Sequence, residues 1–236
     1  RREIESLGIP YIAGIPESPA RTAIDSLAIR DRPDSAEAEA YRRVRTRISL
    51  VGDPTPRSIA LMSSIGGEGA STVTANLALA YADGGARVAV LDADWRFGRQ
   101  GELLGAPVDV AAATRTATEK VVVVIVPSAS TSERPSLAAL ESAIRALEKT
   151  FDVVLVDSAP VLQADEALVV ADIVDRTILV AASGRVDVAE VGAAVEQLRG
   201  LGSNAVGTVL TRVPERGMDA DPALSVPTTH RARQSE

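Results

Sequence analysis

The sequence predicts an α/β fold with a doubly wound, mostly parallel sheet between two layers of helices, a Rossmann-like three-layer arrangement. Three observations predict it. Strand-sized apolar runs alternate with helical patterns from residue 58 onward, which is typical of right-handed βαβ units. Hydrophobic residues make up 46% of the chain but aromatic residues only 3%, so the core must consist of Val, Leu, Ile and Ala, as in buried parallel sheets. A glycine-rich segment also follows the first of these strands and opens a helix.

Each element follows from its own pattern. A helix is predicted over 34–50, because Pro33 and Asp34 suit a helix start and apolar residues recur after them at helical spacing. The other strands are short apolar runs bounded by turn residues. Strands are predicted at 59–62, 88–91, 121–126, 153–156, 177–181 and 205–210, and further helices at 71–82, 136–149 and 187–199.

The chain divides into three parts by composition. Residues 1–33 contain two segments punctuated by glycine and proline and are predicted to be an arm or linker with one short edge strand. Residues 34–214 hold the alternating pattern and form the main domain. Residues 215–236 are polar and interrupted by proline, so we expect a disordered tail. Since the chain begins at Arg1 rather than Met, we interpret it as a fragment with a further segment upstream.

Composition excludes several classes of function. The net charge of −7 gives no reason to expect nucleic-acid binding. The chain has no cysteine, which excludes disulfides and thiolate metal sites and fits a reducing cytoplasm. His230 is the only histidine and lies in the polar tail, so a histidine-based catalytic triad is not expected. The longest apolar run, 121–126, is far shorter than the roughly 20 residues that span a bilayer.

The glycine-rich segment 63–72 has the sequence Ser-Ser-Ile-Gly-Gly-Glu-Gly-Ala-Ser-Thr. In a Walker A loop, backbone N–H groups and the helix N-terminus bind phosphate, a lysine reaches the β- and γ-phosphates, and the next hydroxyl holds Mg²⁺. Here Ser71 provides the hydroxyl and Thr72 follows it, but Ala70 stands at the lysine position. The chain's only lysines, Lys120 and Lys149, are distant in sequence. Taken alone, a segment of this kind is more often a strand-to-helix turn without a ligand, and the neighbouring motifs change this interpretation.

Carboxylates close two of the predicted strands. Asp92 and Asp94 end the strand at 88–91, and Asp157 ends the strand at 153–156. At the carboxyl ends of parallel strands they would stand beside the glycine loop. Oxygen ligands suit Mg²⁺, and a carboxylate can also accept a hydroxyl proton. The alternative is that acidic residues at strand ends merely cap the next turn. The order of glycine loop, Asp-x-Asp and Asp-x-x-Pro favours the first interpretation.

These motifs resemble those of the bacterial tyrosine kinases that work with membrane-bound polysaccharide co-polymerases, over roughly residues 5–214. The loop matches the Walker A motif of that family except for the lysine, and Leu-Asp-Ala-Asp-x-Arg at 91–96 matches its second Walker motif. Phe-Asp-Val-Val-Leu-Val-Asp-Ser-Ala-Pro at 151–160 matches its Walker B segment. Glu39, Arg42 and Arg45 match a helix motif that joins subunits in that family, although such charges on one helix face are usually just solvated.

The resemblance implies a fold and a site. The fold is a P-loop NTPase of the MinD/ParA-like class, and the activity is ATP- and Mg²⁺-dependent phosphorylation of protein tyrosines. Ser71, Asp92 and Asp157 would hold Mg²⁺, with Asp92, Asp94 and Asp157 as the catalytic carboxylates. The implied nucleotide-binding residues are Gly66, Gly67, Glu68, Gly69, Ala70, Ser71, Thr72 and Arg212.

The resemblance also implies partners. The segment Leu-Gly-Ile-Pro-Tyr-Ile-Ala-Gly-Ile-Pro at 7–16 resembles the stretch that follows the second membrane helix in fused members. The expected partner is therefore a membrane-anchored co-polymerase segment, in the same chain or another. The domain would lie on the cytoplasmic face of the bacterial inner membrane and form homo-oligomers through the helix at 34–50.

Four departures from the family weaken the expectation of activity. Ala70 removes the phosphate-binding cation, and losing one such donor typically costs about 2.7–4 kcal/mol, or on the order of a hundred-fold in rate. No tyrosine follows residue 214, where active members carry their phosphorylation sites. Thr211 replaces an asparagine near the adenine, and residues 96–118 form a short, Ala-rich stretch.

Three interpretations follow. In the first, the chain is a natural pseudokinase with a scaffolding or regulatory role, which the absent tyrosines and Thr211 favour. In the second, it is an active kinase in which Ala70 is an engineered substitution. In the third, it is a partition- or placement-type ATPase, which predicts a lysine at the start of the loop and a membrane- or DNA-binding surface, neither of which the sequence shows.

Overall fold

The fold centres on one eight-stranded sheet. The computed structural model describes residues 2–17, 26–50, 55–105, 114–116, 120–125, 136–200 and 205–214. The strands are β1 (Tyr11–Pro16), β2 (Ser58–Ser63), β3 (Val88–Asp92), β4 (Thr114–Thr116), β5 (Val121–Ile125), β6 (Val153–Asp157), β7 (Arg176–Ala182) and β8 (Ala205–Val213). The helices are α1 (Arg2–Ser6), α2 (Ala28–Asp31), α3 (Ala36–Leu50), α4 (Ala70–Asp83), α5 (Gln100–Leu103), α6 (Leu137–Glu148), α7 (Asp165–Ile173) and α8 (Val188–Gly200).

The strand order is β1-β8-β7-β2-β6-β3-β5-β4. All neighbouring pairs are parallel except β4 and β5, which are antiparallel. The predicted doubly wound, mostly parallel sheet is therefore confirmed. β2 lies in the middle, with β6 and β3 on one side and β7 and β8 on the other, so the loop after β2 stands between two sets of strand ends.

The helices cover both faces of the sheet, as the apolar composition predicts. Alternate residues of β2 face opposite layers: Ile59 and Leu61 belong to one core cluster, and Ala60 and Met62 to the other. The first cluster includes residues of α2, α3, α4 and α5, and the second includes residues of α1, α6, α7 and α8. These two apolar layers make the three-layer architecture.

The segment expected to be an arm is part of this sheet. The predicted edge strand is present as β1, which pairs with β8 in parallel. Its residues Ile12 and Ile15 are buried in one cluster, while Ile4 and Ile9, just before it, are buried in the other. Residues 2–17 therefore join the main core instead of forming a linker, because β1 both completes the hydrogen bonds of β8 and buries apolar side chains.

The predicted elements are confirmed within a few residues. The helix expected from residue 34 begins at Ala36, because the Ser35 hydroxyl accepts a hydrogen bond from Ala38 N at 3.1 Å and caps it. The sequence interpretation missed α7, although its buried residues Ala167, Val170 and Ala171 have helical spacing. In the ranges that the structure describes, no helix has both the length and the apolar character needed to cross a membrane. The expected disordered tail, 215–236, lies outside those ranges.

Candidate functional site

The glycine loop connects the end of β2 to the start of α4, as predicted. Gly67 and Gly69 have φ angles of 86° and 99°, a region that glycine enters without a steric penalty. Gly69 is the N-cap of α4, and, as a glycine, it provides no side-chain cap for the first turn of that helix. The helix N-terminus therefore presents backbone donors and its partial positive charge to an anion.

Glu68 holds the loop in place from behind. Its carboxylate accepts hydrogen bonds from Ile65 N at 2.9 Å and from Ala182 N at 3.3 Å, at the end of β7. Burial raises the pKa of Glu68, and these backbone donors partly offset the effect. The Thr211 hydroxyl donates to the Glu68 carbonyl at 2.8 Å. The side chain predicted to bind nucleotide thus fixes the shape of the loop.

A pocket of about 700 Å³ opens above the loop, within the range of small-molecule sites. It brings together most of the residues that the sequence singled out. From the predicted set it is lined by Gly66, Gly67, Glu68, Gly69, Ala70, Ser71, Thr72, Asp94 and Arg212. Arg96 and Ser158, which belong to the matched motifs but were given no role, also line it, and sequence reasoning missed Tyr41, Arg99 and Arg185.

Ala70 is the first residue of α4, and its side chain is almost fully buried in the pocket wall. Among the residues that the structure describes, four arginines and no lysine line the pocket. Arg96 forms an ion pair with Glu166 at 2.7 Å, and its guanidinium lies 4.9 Å from the centre of the Trp95 ring. Its charge is therefore partly neutralised inside the protein.

Arg212 lies in β8 and contacts the glycine loop through its side chain. Its Nη2 donates to the Gly67 carbonyl at 3.4 Å. Its φ of 54° is the one positive value among the non-glycine residues that the structure describes, and strained backbone of this kind clusters at functional sites. Arg212 is the next-to-last residue of β8, two strands from β2, whereas Asp92 and Asp157 end β3 and β6 on the opposite side of β2. Arg212 and the two buried carboxylates therefore lie on opposite sides of the loop.

Asp92 and Asp157 lie side by side as opposed residues of β3 and β6, and neither is among the residues that line the pocket. They are 6% and 1% exposed, and Oδ1 of each has no hydrogen-bond partner among the described residues. Burial raises the pKa of both carboxyls. The charge of Asp92 raises the pKa of Asp157 further, and the charge of Asp94 does the same for Asp92. Buried carboxylates without a compensating cation are costly, so the pair fits a divalent cation.

The fit to Mg²⁺ requires more than these carboxylates. In the described part of the chain no group of three Asp, Glu, His or Cys residues is arranged to hold a metal. Mg²⁺ in nucleotide sites is held by one or two carboxylates together with substrate phosphates. Ser71, Asp92 and Asp157 match that pattern, since the Ser71 hydroxyl lies close enough to lower the pKa of Asp157 slightly.

Asp94 lines the pocket but also has a local partner. Its Oδ1 accepts hydrogen bonds from the backbone N–H groups of Arg96 at 3.2 Å and Phe97 at 3.1 Å. The capping alternative weighed for strand-end carboxylates therefore holds for this residue. The geometry still leaves it beside the glycine loop, where it can face an incoming hydroxyl.

Gln100 is a polar residue of this site that sequence reasoning missed. It is fully buried at the start of α5, and its side-chain amide donates to Asp157 Oδ2 at 2.8 Å and to the Ser71 carbonyl at 2.9 Å. Its only signal in the sequence is its position eight residues after Asp92, which no local pattern marks as functional.

The three residues matched to subunit assembly lie on α3. Glu39 is exposed, and its carboxylate lies 3.7 Å from Arg42. Arg42 also donates to the Pro33 carbonyl at 2.8 Å. Arg45 has an internal partner, because its Nη1 donates to the Ala80 carbonyl near the end of α4 at 2.7 Å. Assembly through this helix stays a prediction.

The fold and the pocket together define a P-loop NTPase domain. A family model described as "ParA: NUBPL iron-transfer P-loop NTPase" matches residues 55–132. The structure resembles the kinase domain of the Escherichia coli tyrosine kinase ETK with a TM-score of 0.78 at 21% identity, covering 91% of this chain and 94% of that one. MinD from Pyrococcus horikoshii, solved with Mg-ADP, shares the fold with a TM-score of 0.55 at 23% identity, over 72% of this chain and 78% of that one.

The particular resemblance to bacterial tyrosine kinases is confirmed. The chain is 29% identical over 198 residues to the tyrosine-protein kinase CpsD of Streptococcus agalactiae, covering 75% of this chain and 83% of that one. It is 30% identical to the putative tyrosine-protein kinase EpsB of Ralstonia solanacearum over 78% of this chain but only 26% of EpsB. The BceF tyrosine kinase domain matches with a TM-score of 0.72 at 28% identity, over 90% of this chain and 97% of that domain.

Proposed function

We propose that this domain binds a nucleotide with Mg²⁺ but transfers phosphate poorly or not at all, and acts as a structural or regulatory part of bacterial polysaccharide assembly. One observation carries the proposal: Ala70 stands at the first position of α4 in a loop that is otherwise built to bind phosphate. The tyrosine-kinase relatives support the class of site, and the family resemblance supports the setting in polysaccharide chain-length control and export.

The residues divide the work of binding. Backbone N–H groups of the loop from Gly66 to Gly69 and of the first turn of α4 bind the phosphates. Ser71, Asp92 and Asp157 hold Mg²⁺, which neutralises phosphate charge when bound. Asp94 positions or deprotonates an incoming hydroxyl. Arg212 contacts the nucleotide from the β8 side of the loop.

We expect slow phosphate transfer because the glycine loop has no cationic side chain at position 70. A lysine at position 70 would place a cation beside the transferred phosphate, and the methyl of Ala70 cannot. Removing one electrostatic donor of this kind costs about 2.7–4 kcal/mol of transition-state stabilisation, or on the order of a hundred-fold or more in rate. Backbone donors still bind the ground state, so affinity falls less than rate.

The setting is proposed from the family resemblance. A membrane-anchored co-polymerase segment is the partner, and the length of EpsB relative to this chain supports its presence in the same polypeptide in some members. The domain then works at the cytoplasmic face of the inner membrane, without nucleic acid, and assembles through α3.

Light scattering of the chain beside a Glu39→Lys variant tests the assembly. If α3 joins subunits, the molar mass of the variant in solution should be lower than that of the unchanged chain.

Calorimetric titration of Mg-ATP and Mg-ADP into the chain and into an Ala70→Lys variant tests nucleotide binding. We expect micromolar binding by the chain, tighter binding by the variant, and phosphotransfer to a tyrosine peptide only in the variant. Absence of binding in both proteins would overturn nucleotide binding and leave a scaffold. Phosphotransfer by the unchanged chain at a rate within ten-fold of the variant would overturn the impairment.

A further inference from the structure

Gln100 connects the end of β3, the end of β6 and the first turn of α4. Its side-chain Nε2 donates to Asp157 Oδ2 at the end of β6 and to the Ser71 carbonyl in the first turn of α4. Its backbone N–H donates to Asp92 Oδ2 at 2.9 Å. One residue therefore contacts both buried carboxylates and the helix that follows the glycine loop.

The contacts of Gln100 satisfy one oxygen of each carboxylate and leave the other without a donor in the part of the chain that the structure describes. In both Asp92 and Asp157, Oδ2 accepts from Gln100, while Oδ1 has no partner among the described residues. The Oε1 of Gln100 itself is also buried and without a partner there. Three buried oxygen acceptors thus stay unsatisfied around one amide. A buried acceptor in this condition is unfavourable unless a cation or another donor compensates it.

A purely structural role does not explain this arrangement. Asn76 is the matched case, a fully buried amide on α4 that also donates to a carbonyl of that helix, Thr72 O at 3.0 Å. Its Oδ1 accepts from Ile29 N at 3.1 Å, so both ends of its amide are satisfied. Asn76 fills the core without leaving acceptors unpaired, whereas Gln100 and the carboxylates it contacts leave three.

We propose that Gln100 is a positioning residue for a divalent cation at Asp92 and Asp157. This inference rests on the proposed function, because the cation is the one that accompanies the nucleotide. Gln100 ties one oxygen of each carboxylate and thereby orients the other toward the cation. Through the Ser71 carbonyl it also couples the cation to the helix that binds the phosphates. Hydrogen-bonded partners of metal-ligating carboxylates act in this way, and their loss typically costs about 10- to 100-fold in metal affinity.

Titration of Mn²⁺ by electron paramagnetic resonance tests the proposal on the whole chain, first without nucleotide and then with saturating ADP. Gln100→Met keeps the length and apolar volume of the side chain but removes its amide, and we expect the affinity for Mn²⁺ to fall about 10- to 100-fold. Gln100→Asn keeps an amide that is one methylene shorter, so its loss should be smaller. Asn76→Leu removes the matched buried amide and should leave the affinity within two-fold of wild type. Thermal unfolding of each variant checks that it is folded.

The outcomes separate this inference from the proposed function. A fall in Mn²⁺ affinity confined to the Gln100 variants supports positioning. If all three variants lose stability but keep the wild-type affinity, Gln100 is structural and the inference is overturned, while nucleotide binding stands. If ADP does not bind with any cation, the proposed function fails, and the titration without nucleotide then decides the inference. A Gln100-dependent Mn²⁺ site there supports it, and absence of Mn²⁺ binding overturns it.

Discussion

At the scale of single residues, burial decides the chemistry of Asp157. Its carboxyl is 1% exposed, and burial together with the neighbouring Asp92 raises its pKa. The folded chain therefore holds a proton on this group at pH values where the unfolded chain has lost it. Without a cation, the stability of the domain falls as the pH rises from the unfolded pKa near 4 to the folded pKa. A bound cation removes this penalty, so the same group links folding to ligand binding.

Asp157→Asn should stabilise the domain in EDTA at pH 8, because the amide is neutral and its oxygen can still accept from Gln100. Burial and Asp92 raise the pKa of Asp157 to about 7, roughly three units above its ordinary value, and each unit corresponds to about 1.4 kcal/mol, so we expect a gain of up to about 4 kcal/mol. The gain should shrink as the pH falls and vanish below about 4, where the wild-type carboxyl is protonated in both states. Thermal unfolding at several pH values measures it. With Mg-ADP present the order should reverse, and a variant that is less stable at pH 8 in EDTA would contradict the expectation.

At the scale of elements, Arg45 connects α3 to α4 within one subunit. Arg45 was matched to subunit assembly, yet its guanidinium donates to the Ala80 carbonyl close to the C-terminus of α4. A cation there also meets the negative end of the helix dipole. The space beside Gly84 is part of this contact, because a Cβ on Gly84 would lie 2.6 Å from Arg45 Nη1. Arg45 therefore contributes to the packing of one subunit.

Arg45→Met should lower the free energy of unfolding by about 1–2 kcal/mol, since it removes a charged hydrogen bond to a helix end while keeping the apolar stem. Denaturant unfolding measures the loss. Arg43→Met is the control, because the ion pair of Arg43 with Glu39 is long, at 3.6 Å, and partly exposed, and such pairs contribute at most about 1 kcal/mol. Equal stability of the Arg45 variant and wild type would show that the contact is not maintained in solution.

At the scale of the whole molecule, the sheet extends to the N-terminal segment. β1 covers the edge of β8 and inserts Ile12 and Ile15 into the same cluster as α3 and α4. The pocket lining includes Ile15, Pro16 and Glu17, at the end of β1. A segment that resembles a membrane-proximal stretch thus contributes to the wall of the pocket.

Ile15→Ala should destabilise the whole domain by about 2–4 kcal/mol, because Ile15 is 2% exposed and its loss leaves a cavity in the shared core. A linker residue would change stability by less than about 0.5 kcal/mol. Leu50→Ala is the matched control, since Leu50 is 78% exposed at the end of α3. Chemical denaturation followed by circular dichroism compares the three proteins. Similar denaturation midpoints for all three proteins would show that residues 2–17 do not contribute to the core and form an arm.

The sequence by itself determined the fold class and the kind of site. The strands from β2 to β8, apart from β4, were predictable because buried parallel strands are short apolar runs that local patterning reveals. The glycine loop and the carboxylates of Asp92 and Asp157 were predictable because phosphate and Mg²⁺ require those groups at strand ends. The absence of a lysine at position 70 is likewise a fact of sequence, and it limits the chemistry whatever the fold.

Only the tertiary structure decided which polar groups meet. Gln100 and Asp157 are 57 residues apart, and their contact depends on β3 and β6 being neighbours, which no local pattern encodes. The same holds for Arg45 with α4 and for β1 with β8. α7 escaped prediction because its helical spacing extends over only nine residues, and so short an apolar segment does not separate helix from strand by periodicity alone. Local patterns specify elements through burial and backbone propensity, but hydrogen bonds between distant residues are fixed only once the strand order brings their donors and acceptors together.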